Sequence, residues 1–159
     1  MRLLIVEDVA AVGRATARLL RRYGYTVATA TSCLEANGIV GYFDCAIVDL
    51  ELPDGSGVDL ARKLLRTGRI GRVIFFSATM NAARQLEAEA FGIFVHKLDG
   101  VGALMRQVSE VQRSMAQLAE RRSVAVAGGH SVSAGPEAPG APQGKISARH
   151  RSHVRTRRR

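Results

Sequence analysis

The sequence predicts a doubly wound α/β domain, a five-stranded parallel sheet with helices on both faces. Three observations carry this expectation. The apolar runs Leu3–Val6, Cys45–Val48, Val73–Phe76 and Ile93–Val95 are continuous rather than alternating, the pattern of strands buried on both faces. Helically spaced segments lie between them, so strand and helix patterns alternate as far as about Arg122, the order of a parallel sheet with helical crossovers. At 159 residues, 47% of them hydrophobic, the chain can build one well-packed domain and a tail but not two full domains.

The elements follow in order. After the first strand, Val12, Ala15, Leu19 and Leu20 are expected to line the buried face of a helix that ends at Gly24. Tyr25–Ala30 mixes Thr with Val27 and suits an edge strand. Helical patterns near Ser32–Val40, Gly57–Arg66 and Asn81–Ala90 separate the later strands. Asp99 is the expected N-cap of the last helix, in which Val101, Leu104, Val108, Val111, Met115 and Leu118 recur three and four residues apart. That row has two readings: a helix that packs on the sheet and then continues, or a heptad seam that pairs two copies of the chain into a homodimer.

Beyond Arg122 the character changes. Pro136, Pro139 and Pro142 fall among Gly, Ala and Ser, and no apolar periodicity survives. Residues 1–122 are therefore expected to form the domain, and 123–159 a flexible linker with a basic tail, disordered as a whole. The net charge of +9 belongs mostly to that tail, since KISARHRSHVRTRRR (145–159) holds seven Lys or Arg and no acid. Such a cluster can bind nucleic acid without reading sequence, or it can simply be solvated. It has no aromatic residue for base stacking and no helical pattern to enter a groove. His130, His150 and His153 lack acidic or cysteine neighbours, which argues against a metal site there.

Composition excludes several classes. Cys33 and Cys45 have neither metal-site nor disulfide-framework spacing. The opening apolar stretch is too short for a signal peptide, and no segment approaches the roughly 20 apolar residues of a membrane span. The expectation is a soluble, cytoplasmic protein with no membrane partner.

The main functional clue lies at the strand ends. LLIVED ends in Glu7 and Asp8, CAIVD in Asp49, VIFFS in Ser77 and GIFVHK in Lys97. In an open parallel sheet the carboxyl edge is where ligands bind. Three acids gathered without a cation would repel one another, so a divalent metal explains Glu7, Asp8 and Asp49 better than chance does. Asp54 and Asp59 read as turn or cap residues. Asp44 begins the strand that Asp49 ends, roughly 16 Å away at the opposite edge, and cannot join the site.

The strings LLIVED, AIVDLELPDGSG, VIFFSA and FVHK, in this order and spacing, resemble the receiver domain of bacterial response regulators, the phosphorylatable half of two-component signalling. The resemblance covers residues 1 to 122. It implies a flavodoxin-like sheet of strand order 2-1-3-4-5, with Mg2+ as cofactor. Asp8 and Asp49 suit direct coordination, Glu7 a contact through metal-held water, and the backbone carbonyl of Glu51 is a further ligand by resemblance. Asp49 is the expected nucleophile that becomes an aspartyl phosphate. Lys97 contacts the phosphoryl group, while Ser77 either donates a hydrogen bond to it or caps the next helix.

By the same resemblance Phe94 is the aromatic switch residue, and the last two helices with the strand between them form the output surface. Glu51 and Thr79 lie close enough to the site to influence the lifetime of the phosphoryl group. The family usually follows this lysine with a proline, commonly through a cis bond. Here Leu98 follows, and a non-proline cis bond costs about 2.5–4 kcal/mol, so a trans bond is expected.

The implied function is a single-domain response regulator, not an enzyme acting on a separate substrate. A histidine kinase or phosphotransfer protein supplies the phosphoryl group, and a downstream protein reads the result. Two rivals stand beside it: a nucleic-acid-binding protein acting through the basic tail under receiver control, and a receiver-like adaptor that is never phosphorylated.

Overall fold

A computed structural model of the chain describes residues 1–127. The expected linker and basic tail lie, from residue 128 onward, outside the described residues.

The strands are β1 (Arg2–Val6), β2 (Thr26–Ala30), β3 (Phe43–Val48), β4 (Glu51–Leu52), β5 (Gly55–Ser56), β6 (Ile70–Ser77) and β7 (Ile93–His96). The helices are α1 (Ala10–Arg22), α2 (Cys33–Gly38), α3 (Gly57–Arg66), α4 (Ala82–Glu89) and α5 (Gly100–Ala127). Five strands form one sheet in the order β2-β1-β3-β6-β7, and each neighbouring pair is parallel. Counting sheet strands alone, this is the expected 2-1-3-4-5 order, and the fold is flavodoxin-like. The short pair β4–β5 is an antiparallel ribbon after Asp49.

Alternation along each strand splits the core into two layers. Leu3, Ile5, Cys45, Ile47, Ile74 and Phe76 face α1 and α5, where they meet Leu20, Leu104, Val108 and Val111. Leu4, Val6, Ala46, Val48, Val73 and Phe75 face the other way, toward Ala36 of α2, Val58 and Leu64 of α3, and Ala88 of α4. Continuous apolar runs are what this double burial demands. Cys45 is fully buried, and burial pushes its thiol up to about 12.

Some expectations shift. The buried face of α1 is Gly13, Thr16, Ala17 and Leu20, whereas Val12 and Ala15 are exposed. Leu20 is buried as expected. The first turns of α1 lie close to the end of β1, where a methyl on Gly13 would be in ordinary contact, 3.5 Å, with Glu7 Cβ. β7 is an edge strand, so Ile93 and Phe94 are only half-buried rather than enclosed on both faces. Asp99 lies in a 3-10 turn, Lys97–Asp99, and among the described residues its side chain makes no capping hydrogen bond.

In α5, Leu104, Val108 and Val111 are buried in the domain's own core. Half of the expected heptad row is therefore engaged within one chain, Met115 packs at the edge of the same core, and Val101 and Leu118 at the two ends of the row are exposed. The helix continues past Arg122 to Ala127.

Candidate metal and phosphoryl site

Parallel register brings the strand tips together. Val6 pairs with Val48, and the Asp49 amide donates to the Val6 carbonyl at 2.9 Å, so Glu7, Asp8 and Asp49 emerge side by side. Each offers one carboxylate oxygen, and these oxygens all lie within 4.8 Å of one another. Glu7 and Asp49 are 4% and 7% exposed, while Asp8 is open to solvent. This all-oxygen donor set, two members sheltered and one open, fits a hard cation such as Mg2+, which keeps several waters and takes few carboxylates.

Lys97 arrives from the end of β7. Its ammonium lies 2.7 Å from Glu7 Oε2 and 2.5 Å from Asp49 Oδ2. Burial pulls the Lys97 ammonium down, but the hydrogen bonds it donates to Asp49 and Glu7 outweigh it and leave it above the ordinary lysine value. Burial also raises the Glu7 carboxyl, with the Lys97 hydrogen bond acting against it. A cation is thus already placed against both sheltered carboxylates.

Ser77 ends β6 and is 1% exposed. Its Oγ accepts from the Thr79 amide at 3.3 Å. The cap of α4 is instead Asn81, whose Oδ1 accepts from Ala83 and Arg84 at 3.0 and 3.2 Å, which removes the capping alternative for Ser77. Thr79 Oγ1 donates to Glu51 Oε1 at 3.4 Å, and Arg84 Nη1 lies 3.4 Å from the same oxygen. Glu51 and Thr79, both read from the sequence as close to the site, are joined on its rim. Arg84 was not foreseen, because nothing in its helical surroundings marks it until α4 is folded over the site.

Phe94 packs against the core layer below α4 and meets His96 edge-on, with ring centroids 6.2 Å apart and an interplanar angle of 71°. No peptide bond among the described residues is cis, as Leu98 led us to expect. Asp44 accepts from the Arg2 amide at 2.6 Å, at the far edge of the sheet and away from the site. Asp54 caps a helix, but the preceding one: its carboxylate oxygens accept from the Cys33 and Leu34 amides, both at 2.8 Å. Asp59 pairs with Arg62 at 3.1 Å.

Gly57 is a further requirement that the sequence did not disclose. A methyl there would fall 1.9 Å from the Asp49 carbonyl oxygen, so only glycine lets α3 start against the Asp49 backbone. Ser56 caps that start, accepting from Val58 at 3.2 Å.

The description "response regulator receiver domain" matches residues 3–108, and the chain belongs to that family of two-component signalling proteins. It is 31% identical over 91 residues to a Bacillus subtilis protein, the uncharacterized transcriptional regulatory protein YbdJ, a match spanning 57% of this chain and 41% of that one. The aligned stretch is therefore less than half of that relative's length. Among solved structures, the chain is similar to the non-phosphorylated HemR receiver domain of Leptospira biflexa, at 28% identity and a TM-score of 0.63, covering 69% of this chain and 92% of that one. It is also similar to the response regulator TrrA of Thermotoga maritima, solved in complex with Mg2+–BeF, at 25% identity and a TM-score of 0.62, covering 69% and 97%.

Proposed function

We propose that this chain acts as a response-regulator receiver that accepts a phosphoryl group on Asp49 and works as a switch, not as an enzyme on a separate substrate. One observation carries the reading: the Lys97 ammonium contacts Asp49 and Glu7 together, beside a third carboxylate within 4.8 Å.

Asp49 Oδ attacks phosphorus and forms the new O–P bond. The bond from phosphorus to the donor nitrogen breaks, and that nitrogen, the imidazole of a histidine kinase or phosphotransfer protein, keeps the electron pair. Phosphoryl transfer asks the protein mainly for positioning and charge neutralisation. Lys97, placed against Asp49 Oδ2, is the group that follows the oxyanion charge, and Ser77 donates its hydroxyl to a phosphoryl oxygen. Glu7, Asp8, Asp49 and the Glu51 carbonyl are the residues that would hold Mg2+, which when bound neutralises charge on the carboxylates and the incoming phosphoryl group.

The output is a protein contact on α4, β7 and α5, with Phe94 as the aromatic switch. Leu86 and Leu98, 70% and 82% exposed, leave that face ready for an apolar partner. A coupling of about 1–3 kcal/mol biases such a switch usefully. No helix among the described residues is long and apolar enough to cross a membrane, in keeping with a cytoplasmic site of action.

The test is incubation with a small phosphodonor such as phosphoramidate and Mg2+, followed by intact mass. One phosphoryl adduct is expected on the native chain and none on Asp49→Ala. Absence of any adduct on the native chain overturns the reading in favour of the unphosphorylated adaptor.

A further inference from the structure

His96 precedes the lysine that reaches into the site, and its side chain makes one hydrogen bond. The Leu98 amide donates to His96 Nδ1 at 3.1 Å, so the imidazole caps the 3-10 turn Lys97–Asp99 from the end of β7. This bond closes over the Lys97 backbone from both sides: the acceptor belongs to the residue before it and the donor to the residue after it. Nδ1 accepts, so the ring proton sits on Nε2, and Nε2 is buried with no hydrogen-bond partner among the described residues. The ring is held on its other side by the edge-on contact with Phe94.

The stranded Nε2 makes imidazole a poor choice for this strand position on packing grounds alone. A β-branched apolar residue would fill the same place with no unsatisfied donor. The Nδ1 bond is what an apolar residue could not supply. Its donor exists because position 98 is leucine, with a free amide, and that amide has no other partner among the hydrogen bonds of the described residues.

We infer that His96 is a positioning residue for Lys97, its Nδ1 capping the Leu98 amide so that the turn holds the ammonium against Asp49 and Glu7 during phosphoryl transfer. This deepens the phosphoacceptor reading and rests on it. Lys97 carries four rotatable side-chain bonds and reaches its partners from a short turn, so a loose turn spreads the ammonium over positions that miss the transferring group. Small misplacements of a positioned charge weaken transfer strongly.

The experiment is the rate of phosphoryl labelling by phosphoramidate with Mg2+, read by intact mass, together with thermal unfolding of each variant. His96→Val removes the acceptor and the stranded Nε2 and suits a strand, so it is expected to unfold at the native temperature or higher yet to label roughly three- to tenfold more slowly, the range a lost cap implies. His96→Asn, whose side-chain oxygen can accept from the amide two residues on, is expected to recover most of the native rate. In a Leu98→Pro chain, which has no amide proton at that position, adding His96→Val is expected to change the rate less than twofold.

A native chain that takes no phosphoryl group overturns the phosphoacceptor reading and this inference with it. A native chain that labels, beside a His96→Val chain that labels equally fast, overturns the inference alone. So does failure of His96→Asn to recover the rate, or an undiminished effect of His96→Val beside Leu98→Pro.

Discussion

Lys97 Nζ and Asp49 Oδ2 stand 2.5 Å apart, joining residues 48 positions distant in the sequence. This pair neutralises a nearly buried carboxylate and, through the second bond to Glu7 Oε1 at 2.9 Å, pins the end of β7 to the end of β1. The lysine is therefore a structural counter-ion, and in the proposed reaction it is also the group that meets the incoming charge.

Replacing Lys97 with Met separates those two roles. Removing one partner of a sheltered ion pair costs about 2–3 kcal/mol when, as here, the lysine side chain is still 20% exposed. Thermal unfolding without added metal should therefore fall in temperature. Added Mg2+ should recover more of the loss in Lys97→Met than it adds to the native chain, because Glu7 and Asp49 then lack their protein cation. Equal Mg2+ shifts in both chains would refute this competition.

Gly57→Ala is expected to be severely destabilising despite being a change of one methyl group. The added Cβ would meet the Asp49 carbonyl oxygen at 1.9 Å, and backbone on both sides must move to relieve it. Overpacking of this kind typically costs about 1–3 kcal/mol, and the lost labelling at Asp49 should exceed what unfolding explains. A denaturant midpoint and labelling rate both close to native would show that α3 can slide without disturbing Asp49.

Asp54 supplies a pH signature. Hydrogen bonds from the Leu34 and Cys33 amides hold its carboxyl below the usual value. An acid depressed in the folded state contributes stability above its unfolded value of about 3.9, and that contribution is lost as the pH falls through the folded value. The unfolding temperature of the native chain should thus exceed that of Asp54→Asn above about pH 5, with the gap narrowing as the solution becomes more acidic. A gap that stays constant from neutral to acidic pH would contradict the capping role.

Removal of residues 128–159 isolates the basic cluster. Leu104, Val108 and Val111 complete the α5 side of the core and are kept in the shortened chain, which should unfold within about 2 °C of the full one. On the rival reading, in which the tail binds nucleic acid, retention of the full chain on DNA should fall with salt at a log–log slope of about −0.9 per phosphate neutralised and vanish on truncation. Retention unchanged by truncation eliminates the reading in which the tail binds nucleic acid.

The sulfhydryls should be slow. Burial raises Cys33 to about 11 and Cys45 to about 12, and the thiolate is the reactive form. Alkylation of either residue in the folded chain at neutral pH should be slow beside the same reaction in denaturant. Rapid labelling of Cys45 in the folded chain would mean that the sheet opens.

Strand positions, the parallel sheet and the four polar strand tips were legible in the sequence because burial on both faces leaves an unbroken apolar run, and such a run ends where the chain meets solvent. The identities of Glu7, Asp8, Asp49, Ser77 and Lys97 followed from reading those ends. The face of α1 was legible only at Leu20. Gly13, Thr16 and Ala17 are spaced as helically as the larger residues beside them, and how the helix docks on the sheet decides which side is buried. Gly57, Arg84 and the His96 cap also escaped notice, since each acts through a contact between elements distant or differently oriented in the chain.

The sequence by itself determined which residues carry charge and which segments must be buried, since hydrophobic period and residue chemistry are local properties. Only the tertiary structure decided that Lys97 meets two acids at once, that α3 begins against Asp49 with no room for a side chain, and that an imidazole closes the turn around the lysine. Those outcomes depend on register and on distances of a few ångströms between strands, and linear order does not encode them one residue at a time.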